Sequence, residues 1–294
     1  TKISTEKSAL FLEKVYLSFR KGIFNCVPAK DYVKSRALQV EDLEIGFNSG
    51  QLHYAERRGG EKGLIPNLLE VGLLSLAGTN SRTGGQAYKT FGIKSIVFPL
   101  KNKENQIVSF YFRSIVNDKE AKHFYLKNRS GIYPGYPSQE TTKLILTEAI
   151  IDCASLLQIK EIRDNYSLIS CFGTNGLNDE ILKSIRELVA LEEIIFCFDN
   201  DEAGRKAVEK YSEILKEERL TASLKVGELP NNDVNETLQL HSEEIFTELL
   251  ENRKDIFLSL ENKNTEEKKL EAELRQSAES TKSARETQWQ SATD

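Results

Sequence analysis

The sequence predicts an α/β fold with an α+β N-terminal part, and two observations support this. From residue 143 onward, short continuous apolar runs alternate with helix-spaced apolar patterns, which is typical of a parallel sheet covered by helices on both faces. Before that point, two runs rich in β-branched and aromatic residues flank the polar turn KNKENQ, which predicts a β-hairpin.

The first half of the chain opens with helical patterns. Apolar residues recur at helical spacing in SALFLEKVYLSFRKGI, and shorter helical patterns follow in AKDYVKSRAL and NLLEVGLLSL. Residues 57–63 and 78–85 are rich in Gly, Ser, Thr and charge, which indicates loops. The hairpin of SIVFPL and IVSFYFRSI follows, so we expect residues 1–140 to form a mixed subdomain.

The second half alternates strands and helices. We expect strands in KLILTEAI, YSLISCFGT, EEIIFCFD and ASLKVGELP, and helices in IDCASLLQI, DEILKSIRELVA, EAGRKAVEKYSEILKE and SEEIFTELLENRKDIFLSL. This predicts an α/β domain at residues 141–235 and a helical segment at 236–260. Residues 261–294 contain no Val, Ile or Phe, so we expect a charged helical or disordered tail there.

Composition narrows the class of protein. The chain has 294 residues, 39% of them apolar, which is enough for substantial cores. No apolar run reaches the roughly 18 to 20 residues that cross a bilayer, and the first residues lack a signal peptide's apolar region and cleavage site, so we expect a soluble, cytoplasmic protein with no membrane partner. The chain begins with Thr and contains no Met, so we also expect a piece of a longer protein.

Cysteine spacing and charge add two further expectations. Cys26, Cys153, Cys171 and Cys197 lie far apart, so we predict buried free thiols and neither a zinc site nor a disulfide framework. The net charge of −5 alone argues against nucleic-acid binding, but residues 1–140 carry 21 Lys and Arg against 13 Asp and Glu, a net of +8, and the remainder carries 19 against 32, a net of −13. A basic half joined to an acidic half suggests a bound polyanion beside bound cations.

Acidic residues follow the predicted strands. Asp199 and Asp201 come directly after EEIIFCF, and alternate strand side chains point the same way, so their Cα atoms would lie roughly 7 Å apart and their charges would repel. Glu148 ends LILTE, with Asp152 one helical turn later. Strand ends of a parallel sheet meet at one edge, and Mg²⁺ prefers carboxylate oxygens. The sequence therefore predicts a magnesium site, to which Asp233 in LPNNDVNETL would add a third patch.

Other interpretations of these acidic residues exist. Asp201 can be the N-cap of the next helix, and Asp233 can belong to an ordinary polar turn. DNDEAG also resembles the opening of an EF-hand loop, but Ala203 and Lys210 occupy ligand positions of that loop. A phosphatase of the Asp-x-Asp-x-Thr kind would likewise need Thr or Val where Ala203 stands.

The pattern resembles the TOPRIM domain shared by primases, topoisomerases and some nucleases. The matching segments are LTEAIID with Glu148, SCFGTNGL with Gly173 and Thr174, and FCFDNDEAGR with Asp199, Asp201 and Gly204. Within that family the chain is similar to the catalytic core of bacterial DnaG-type primases, through DEAGRKAV, LPNNDVNE, DYVKSRALQVEDLEIGF, SIVFPLKNKENQIVSFYFR and FYLKNRSGIYPGY. It departs from that pattern at Ala149, Val234 and Asn235, where Gly, Pro and an acidic residue are usual.

The resemblance implies a TOPRIM parallel sheet covered by helices, preceded by a basic subdomain that binds template and nucleotide and followed by a helical segment. It implies a DNA-directed RNA polymerase of primase type, a nucleotidyltransferase that synthesises short RNA primers during DNA replication. Implied partners are a single-stranded DNA template and ribonucleoside triphosphates. Whether a replicative helicase is a further partner stays open. The implied cofactor is Mg²⁺ or Mn²⁺, and zinc would belong only to a module that this chain does not contain.

The resemblance also assigns residues. Glu148, Asp199 and Asp201 would be catalytic. The same three residues, together with Asp152 and Asp233, would bind metal. Glu148 would be either a metal ligand or the general base. Nucleic acid or nucleotide would be bound by Arg113, Lys122, Lys127, Asn128, Arg129, Gly173 and Thr174. The aromatic residues interleaved with these cations, Tyr111, Phe112, Phe124, Tyr125, Tyr133 and Tyr136, would either stack on bases or form the hairpin core.

Two alternative functions stay open at this point. One is a TOPRIM nuclease or a topoisomerase fragment, and a nuclease would cut DNA without added nucleotides. The other is a non-catalytic module that binds single-stranded DNA and carries a decayed site.

Overall fold

A computed structural model of the chain describes residues 5–57, 62–116, 123–127, 129–218 and 220–256. The predicted tail at 261–294 and the end of the predicted helical segment lie outside these residues. Within the described residues, no helix combines the length and apolar character needed to span a bilayer.

The first half combines helices with two antiparallel sheets. Its elements are α1 Thr5–Phe24, α2 Val27–Ser35, β1 Gly46–Asn48, α3 Tyr54–Arg57, α4 Leu64–Glu70, β2 Leu74–Thr79, β3 Gln86–Thr90, β4 Ser95–Lys101, β5 Ile107–Ser114 and β6 His123–Tyr125. One sheet has the strand order β1-β4-β5-β6, and β2 and β3 form a separate hairpin. The α+β character predicted for this half is therefore confirmed.

The predicted hairpin is β4 and β5, paired antiparallel with Phe98 opposite Tyr111. The helix predicted in NLLEVGLLSL is wrong in its second half, because α4 ends at Glu70 and β2 begins at Leu74. Gly72 adopts a φ of +79°, a left-handed conformation that terminates the helix and redirects the chain into the strand.

The second half contains the predicted parallel sheet. Its elements are β7 Lys143–Thr147, α5 Ile150–Leu157, α6 Lys160–Asn165, β8 Ser167–Ser170, α7 Asp179–Arg186, β9 Glu193–Cys197, α8 Glu202–Glu217, β10 Ser223–Val226, α9 Val234–Leu240, α10 Glu244–Glu251 and β11 Lys254–Asp255. The strand order is β11-β10-β9-β7-β8. β7 runs parallel to β8 and β9, β9 runs parallel to β10, and β11 is antiparallel.

The helix predicted over SEEIFTELLENRKDIFLSL is also wrong in part. It ends at Glu251, and β11 follows to pair with β10. Between the helix and β11, the Nε of the partly buried Arg253 donates to Oε1 of the buried Glu193 at 2.8 Å. This ion pair ties the chain to the start of β9.

The two halves share a hydrophobic core. One cluster contains Phe98, Tyr111 and Tyr133 from the first half together with Ile145 and Ile195 from the parallel sheet. The other face of that sheet packs on α7 and α8, and α1 packs on the outer face of the β4-β5 hairpin. The halves are therefore packed against each other through apolar side chains. All four cysteines are free thiols, and Cys153, Cys171 and Cys197 are buried as predicted, but the predicted burial is wrong for Cys26, which is partly exposed.

The two outer parallel strands each have a further contact. On the outer side of β8, the Ser170 N–H donates to the Tyr133 carbonyl at 3.0 Å, and the Thr141 and Ser167 hydroxyls hydrogen-bond at 2.8 Å. On the outer side of β10, the short strand β11 pairs antiparallel. Because β7, β8, β9 and β10 are parallel, their carboxyl ends all lie at one end of the sheet.

Candidate functional site

The predicted acidic residues emerge from neighbouring strands. β7 and β9 are adjacent, with Thr147 opposite Cys197, so Glu148 and Asp199 leave the sheet at the same carboxyl edge. We call Glu148, Asp152, Asp199, Asp201 and Asp233 the acidic edge. The sheet order brings the first two acidic segments together, as the sequence predicted.

The carboxylates of the acidic edge repel one another. Partial burial and the charges of Glu148, Asp233 and Asp201 raise the pKa of Asp199 to about 7. Burial and the charge of Asp201 raise the pKa of Glu148, and a hydrogen bond from the Asp199 backbone N–H partly offsets this. The acidic edge is therefore a place where positive charge would be stabilised.

Glu148 also has an unsatisfied oxygen. Its Oε2 is buried and has no hydrogen-bond partner, a costly arrangement that a hard cation would relieve. Within the described part of the chain, no three His, Cys, Asp or Glu side chains are close enough together to enclose a metal ion. Mg²⁺ commonly takes only one or two carboxylates and completes its shell with water and substrate phosphate, so the donor set fits such an open site.

Two members of the acidic edge are helix N-caps. Asp201 Oδ1 accepts from the Gly204 N–H at 2.7 Å at the start of α8, and Asp233 Oδ1 accepts from the Glu236 N–H at 2.6 Å at the start of α9. The N-cap interpretation of Asp201 is thus correct. Each cap uses one carboxylate oxygen, so capping orients the side chain and does not exclude a second ligand on the other oxygen.

Gly204 is required by a close approach. A Cβ at this position would lie 2.1 Å from the carbonyl oxygen of Asp199. The first turn of α8 therefore packs directly on the backbone that carries Asp199, and this contact fixes where that carboxylate emerges.

Asp152 is the most buried of the five. Its Oδ1 accepts from the Asn235 N–H at 3.1 Å. Burial, followed by the charges of Asp233 and Asp199, raises its pKa well above the usual range. Asp152 thus anchors the start of α9 to α5, and its role as a metal ligand stays a prediction.

Asn235, a departure from the DnaG-type pattern, connects the two halves. Its Nδ2 donates to the Arg36 carbonyl and to Ser155 Oγ, both at 2.8 Å, and its Oδ1 accepts from Arg36 Nη1 at 3.3 Å. An ionised carboxylate cannot donate hydrogen bonds, so an acidic residue here would lose the first two contacts. The substitution has a structural reason in this chain.

Arg129 of the basic half contacts the loop that follows β8 in the second half. Its guanidinium lies 5.0 Å from the ring centroid of Tyr125 and 5.1 Å from that of Phe172. The two rings are 5.8 Å apart and meet edge to face at 89°, so the guanidinium lies beside both rings and not between parallel ring faces. The residue after Phe172, Gly173, has a φ of +103°, and its N–H donates to the Glu148 carbonyl at 2.7 Å. One short loop therefore carries both Phe172 and a backbone contact to Glu148.

The remaining predicted binding residues have different surroundings. Arg113 is partly buried, and its Nε donates to the Tyr32 hydroxyl at 3.2 Å. Lys127 is exposed, and Thr174 is partly buried beside Gly173. Lys122 and Asn128 lie outside the residues that the structure describes.

The aromatic residues divide between the two interpretations. Tyr111, Phe112 and Tyr133 are buried in the core, so they cannot stack on bases and the core interpretation holds for them. Tyr125 is partly exposed, and so is Phe172, which the sequence reasoning missed. Its position beside Gly173 in the predicted turn was a signal, but its contact with Arg129 depends on how the halves pack.

Known proteins match much of the chain. Residues 145–238 match the Toprim-like family. The chain is 26% identical over 247 residues to a DNA primase of Haemophilus influenzae, covering 78% of this chain and 39% of the relative. It is 28% identical over 193 residues to a DNA primase of Salmonella typhimurium, covering 61% and 31%. The chain thus spans less than two fifths of the length of these relatives.

Solved structures show the same fold. The zinc-binding and RNA polymerase domains of Aquifex aeolicus primase match with a TM-score of 0.68 and 21% identity, over 91% of this chain and 67% of that one. The Escherichia coli primase catalytic core matches with 0.66 and 20%, over 87% and 83%. A DnaG primase catalytic domain bound to single-stranded DNA matches with 0.64 and 20%, over 87% and 83%. The described structure has the fold of the DnaG catalytic core.

Proposed function

We propose that this chain, a Toprim-like α/β domain joined to a basic subdomain in the DnaG core fold, is the catalytic core of a DNA primase. It would synthesise short RNA primers on single-stranded DNA by metal-dependent nucleotidyl transfer. The observation that carries the proposal is the adjacency of β7 and β9, which brings Glu148 and Asp199 to one edge of the sheet.

In this reaction a 3′-hydroxyl attacks the α-phosphate of a nucleotide and pyrophosphate leaves. Bound Mg²⁺ or Mn²⁺ would neutralise the charge that develops on the phosphate. Glu148 and Asp199 would hold such an ion. Asp201 and Asp233 each keep one carboxylate oxygen outside their N-cap bonds, and their part in metal binding stays a prediction, as does that of Asp152. The unsatisfied Oε2 of Glu148 equally suits a general base for the hydroxyl proton.

The basic half would hold the template and the nucleotide. Arg129 and Lys127 are exposed, and Arg113 lies on β5 of the same half. Cations of this kind neutralise phosphates, so we expect binding of single-stranded DNA to weaken steeply with salt. The match to a DnaG domain bound to single-stranded DNA supports this assignment. Ribonucleoside triphosphates are the proposed substrates, and a replicative helicase is a candidate partner.

A primer-synthesis assay tests the proposal. Single-stranded DNA, ribonucleoside triphosphates and Mg²⁺ or Mn²⁺ are incubated with the chain, alone and with a primase zinc-binding module fused ahead of residue 1. We expect primers from the wild type and a loss of about a hundredfold or more in Asp199→Ala. The control is Asp164→Ala, which removes an exposed carboxylate on α6.

The assay also separates the alternatives. An Asp199→Ala protein that folds and retains full activity would rule out the proposed mechanism. Cleavage of DNA without nucleotides would identify a nuclease. Salt-sensitive binding of single strands, with no synthesis in either form of the chain, would identify a non-catalytic module.

A further inference from the structure

One turn of the first half contacts two helical segments of the second half. We call residues 36–39, which follow α2, the α2 turn. Asn235, in the first turn of α9, donates from Nδ2 to the Arg36 carbonyl of this turn at 2.8 Å. Gln158, directly after α5, donates from Nε2 to the Ala37 carbonyl at 2.8 Å. The α2 turn is therefore bonded to the end of α5 and to the start of α9.

We infer that Asn235 is a positioning residue for metal binding: its amide, bonded to the α2 turn, fixes the start of α9 and with it the acidic edge. The inference rests on the metal site of the proposed function. It makes that site depend on a residue outside the acidic set and on a contact with the first half. In this chain a carboxylate at position 235, which is usual in the DnaG-type pattern, should therefore weaken metal binding.

The first support is the place of Asn235 between two acidic residues. Its backbone N–H donates to Asp152 Oδ1 at 3.1 Å, and it stands two residues after Asp233, the N-cap of α9. Asn235 is 1% exposed and Asp152 is 5% exposed, so this contact is shielded from water. A shift of residue 235 would therefore displace both carboxylates.

The second support is a bond between the segments that carry Asp199 and Asp233. Asn200 follows Asp199, and its N–H donates to the Asn232 carbonyl at 2.6 Å. The Nδ2 of Asn200 also donates to the Leu229 carbonyl at 3.3 Å. Because Asn232 directly precedes Asp233, a displacement at the start of α9 would also reach Asp199, one of the proposed ligands.

The third support is that the Asn235 side chain uses its amide donors. Its Nδ2 donates to the Arg36 carbonyl and to Ser155 Oγ, both at 2.8 Å. The Ser155 hydroxyl itself donates to the Ile151 carbonyl at 2.9 Å, so Ser155 is the acceptor of the Asn235 bond. A carboxylate at position 235 would place an oxygen against these two acceptor oxygens. Oxygen atoms repel at that distance, so the start of α9 would have to move.

Titration with Mn²⁺, followed by the loss of the EPR signal of the free ion, tests the inference without any need for catalysis. We expect Asn235→Asp to weaken Mn²⁺ binding about tenfold, a size typical of residues that orient metal ligands. If position 235 were instead a ligand position, the added carboxylate would strengthen binding. Gln158→Met, which detaches the α2 turn from α5 and leaves Asn235 in place, should also weaken Mn²⁺ binding.

Asn48, a buried residue of β1, offers a matched control. Its Nδ2 donates to the carbonyls of Phe91 and Gly92 at 2.8 and 3.1 Å. Asn48→Asp therefore also places a carboxylate oxygen against two acceptors, but within the first half. It should lower the midpoint of urea unfolding, as Asn235→Asp does, and leave Mn²⁺ affinity unchanged. In primer synthesis, Asn235→Asp should raise the Mg²⁺ concentration that gives half the maximal rate about tenfold.

A folded Asn235→Asp protein that binds Mn²⁺ as tightly as the wild type, or more tightly, would overturn the inference, and so would an equal loss of affinity in Asn48→Asp. If Asn235→Asp does not fold, an unchanged Mn²⁺ affinity in Gln158→Met would overturn it. A wild type whose Mn²⁺ affinity depends on Asn235, yet which makes no primers with or without the zinc-binding module, would overturn the proposed function and leave this inference supported.

Discussion

Replacing Asp199 by Asn should stabilise the metal-free protein at alkaline pH. The pKa of Asp199 rises from an ordinary value of 3.8 to about 7 on folding, so the folded state favours the protonated carboxyl. The stability that the protonated Asp199 carboxyl contributes is therefore fully present below about pH 4 and is lost as the pH rises through 7. Asn cannot ionise, so it removes this loss while keeping a similar shape.

The size of the effect follows from the change in pKa. The difference between 3.8 and about 7 corresponds to about 4 kcal/mol, which is an upper limit. Asp199 is only partly buried, and solvent screens its repulsion from the other carboxylates, so we expect about 1 to 2 kcal/mol at pH 8. For a chain of this size that raises Tm by a few degrees.

The assay is thermal unfolding of the wild type and of Asp199→Asn in EDTA at pH 4, 6 and 8. The difference in Tm should be small at pH 4 and largest at pH 8. Added Mg²⁺ should stabilise the wild type more than the variant, since an ion that binds only the folded state shifts the equilibrium toward it. Asp42→Asn, at an exposed carboxyl of the first half, is the control. An Asp199→Asn variant less stable than the wild type at pH 8, or a difference independent of pH, would refute the reasoning.

Two further predictions concern the loops around the acidic edge. Gly204→Ala should lower stability by about 1 to 3 kcal/mol and sharply reduce primer synthesis, because its Cβ would lie 2.1 Å from the Asp199 carbonyl oxygen. Gly85→Ala, whose Cβ would make only an ordinary contact with Thr83 Oγ1 at 3.7 Å, is the control in urea unfolding and activity assays. Equal effects of the two substitutions would contradict the prediction. Tyr211→Phe should cost about 1 to 3 kcal/mol in urea unfolding, because the buried Leu177 N–H loses its acceptor, and an unchanged midpoint would contradict this.

Much of the fold was predictable because its signals are local. The apolar runs of the parallel strands, the helix in EAGRKAVEKYSEILKE and the β4-β5 hairpin each depend on periodicity within a short window, and the structure contains all of them. The helix ends that were predicted wrongly lie where tertiary contacts determine the secondary structure. Apolar residues after Gly72 fit a helix or a strand equally well, and β11 forms only because β10 is beside it.

That Glu148 and Asp199 leave the sheet at one edge was predictable, because each closely follows a strand and the ends of parallel strands meet. The strand order could not be obtained from periodicity, and it decides that β7 and β9 are neighbours. Contacts between segments that are distant in the sequence could not be predicted either. Asn235 looked like a weakened metal patch, yet its amide binds Arg36, about two hundred residues earlier in the chain. Phe172 stood beside Gly173 in the predicted turn, but its contact with Arg129 could not be predicted, because it depends on how the two halves pack.

The contact on the outer side of β8 bears on how the chain can be divided. The Ser170 N–H donates there to the carbonyl of Tyr133, which precedes the Toprim-like segment. A fragment that began after residue 140 would leave this N–H unpaired on the outer side of an edge strand, where another polypeptide could add a strand. We therefore expect such a fragment to self-associate more readily than the longer chain.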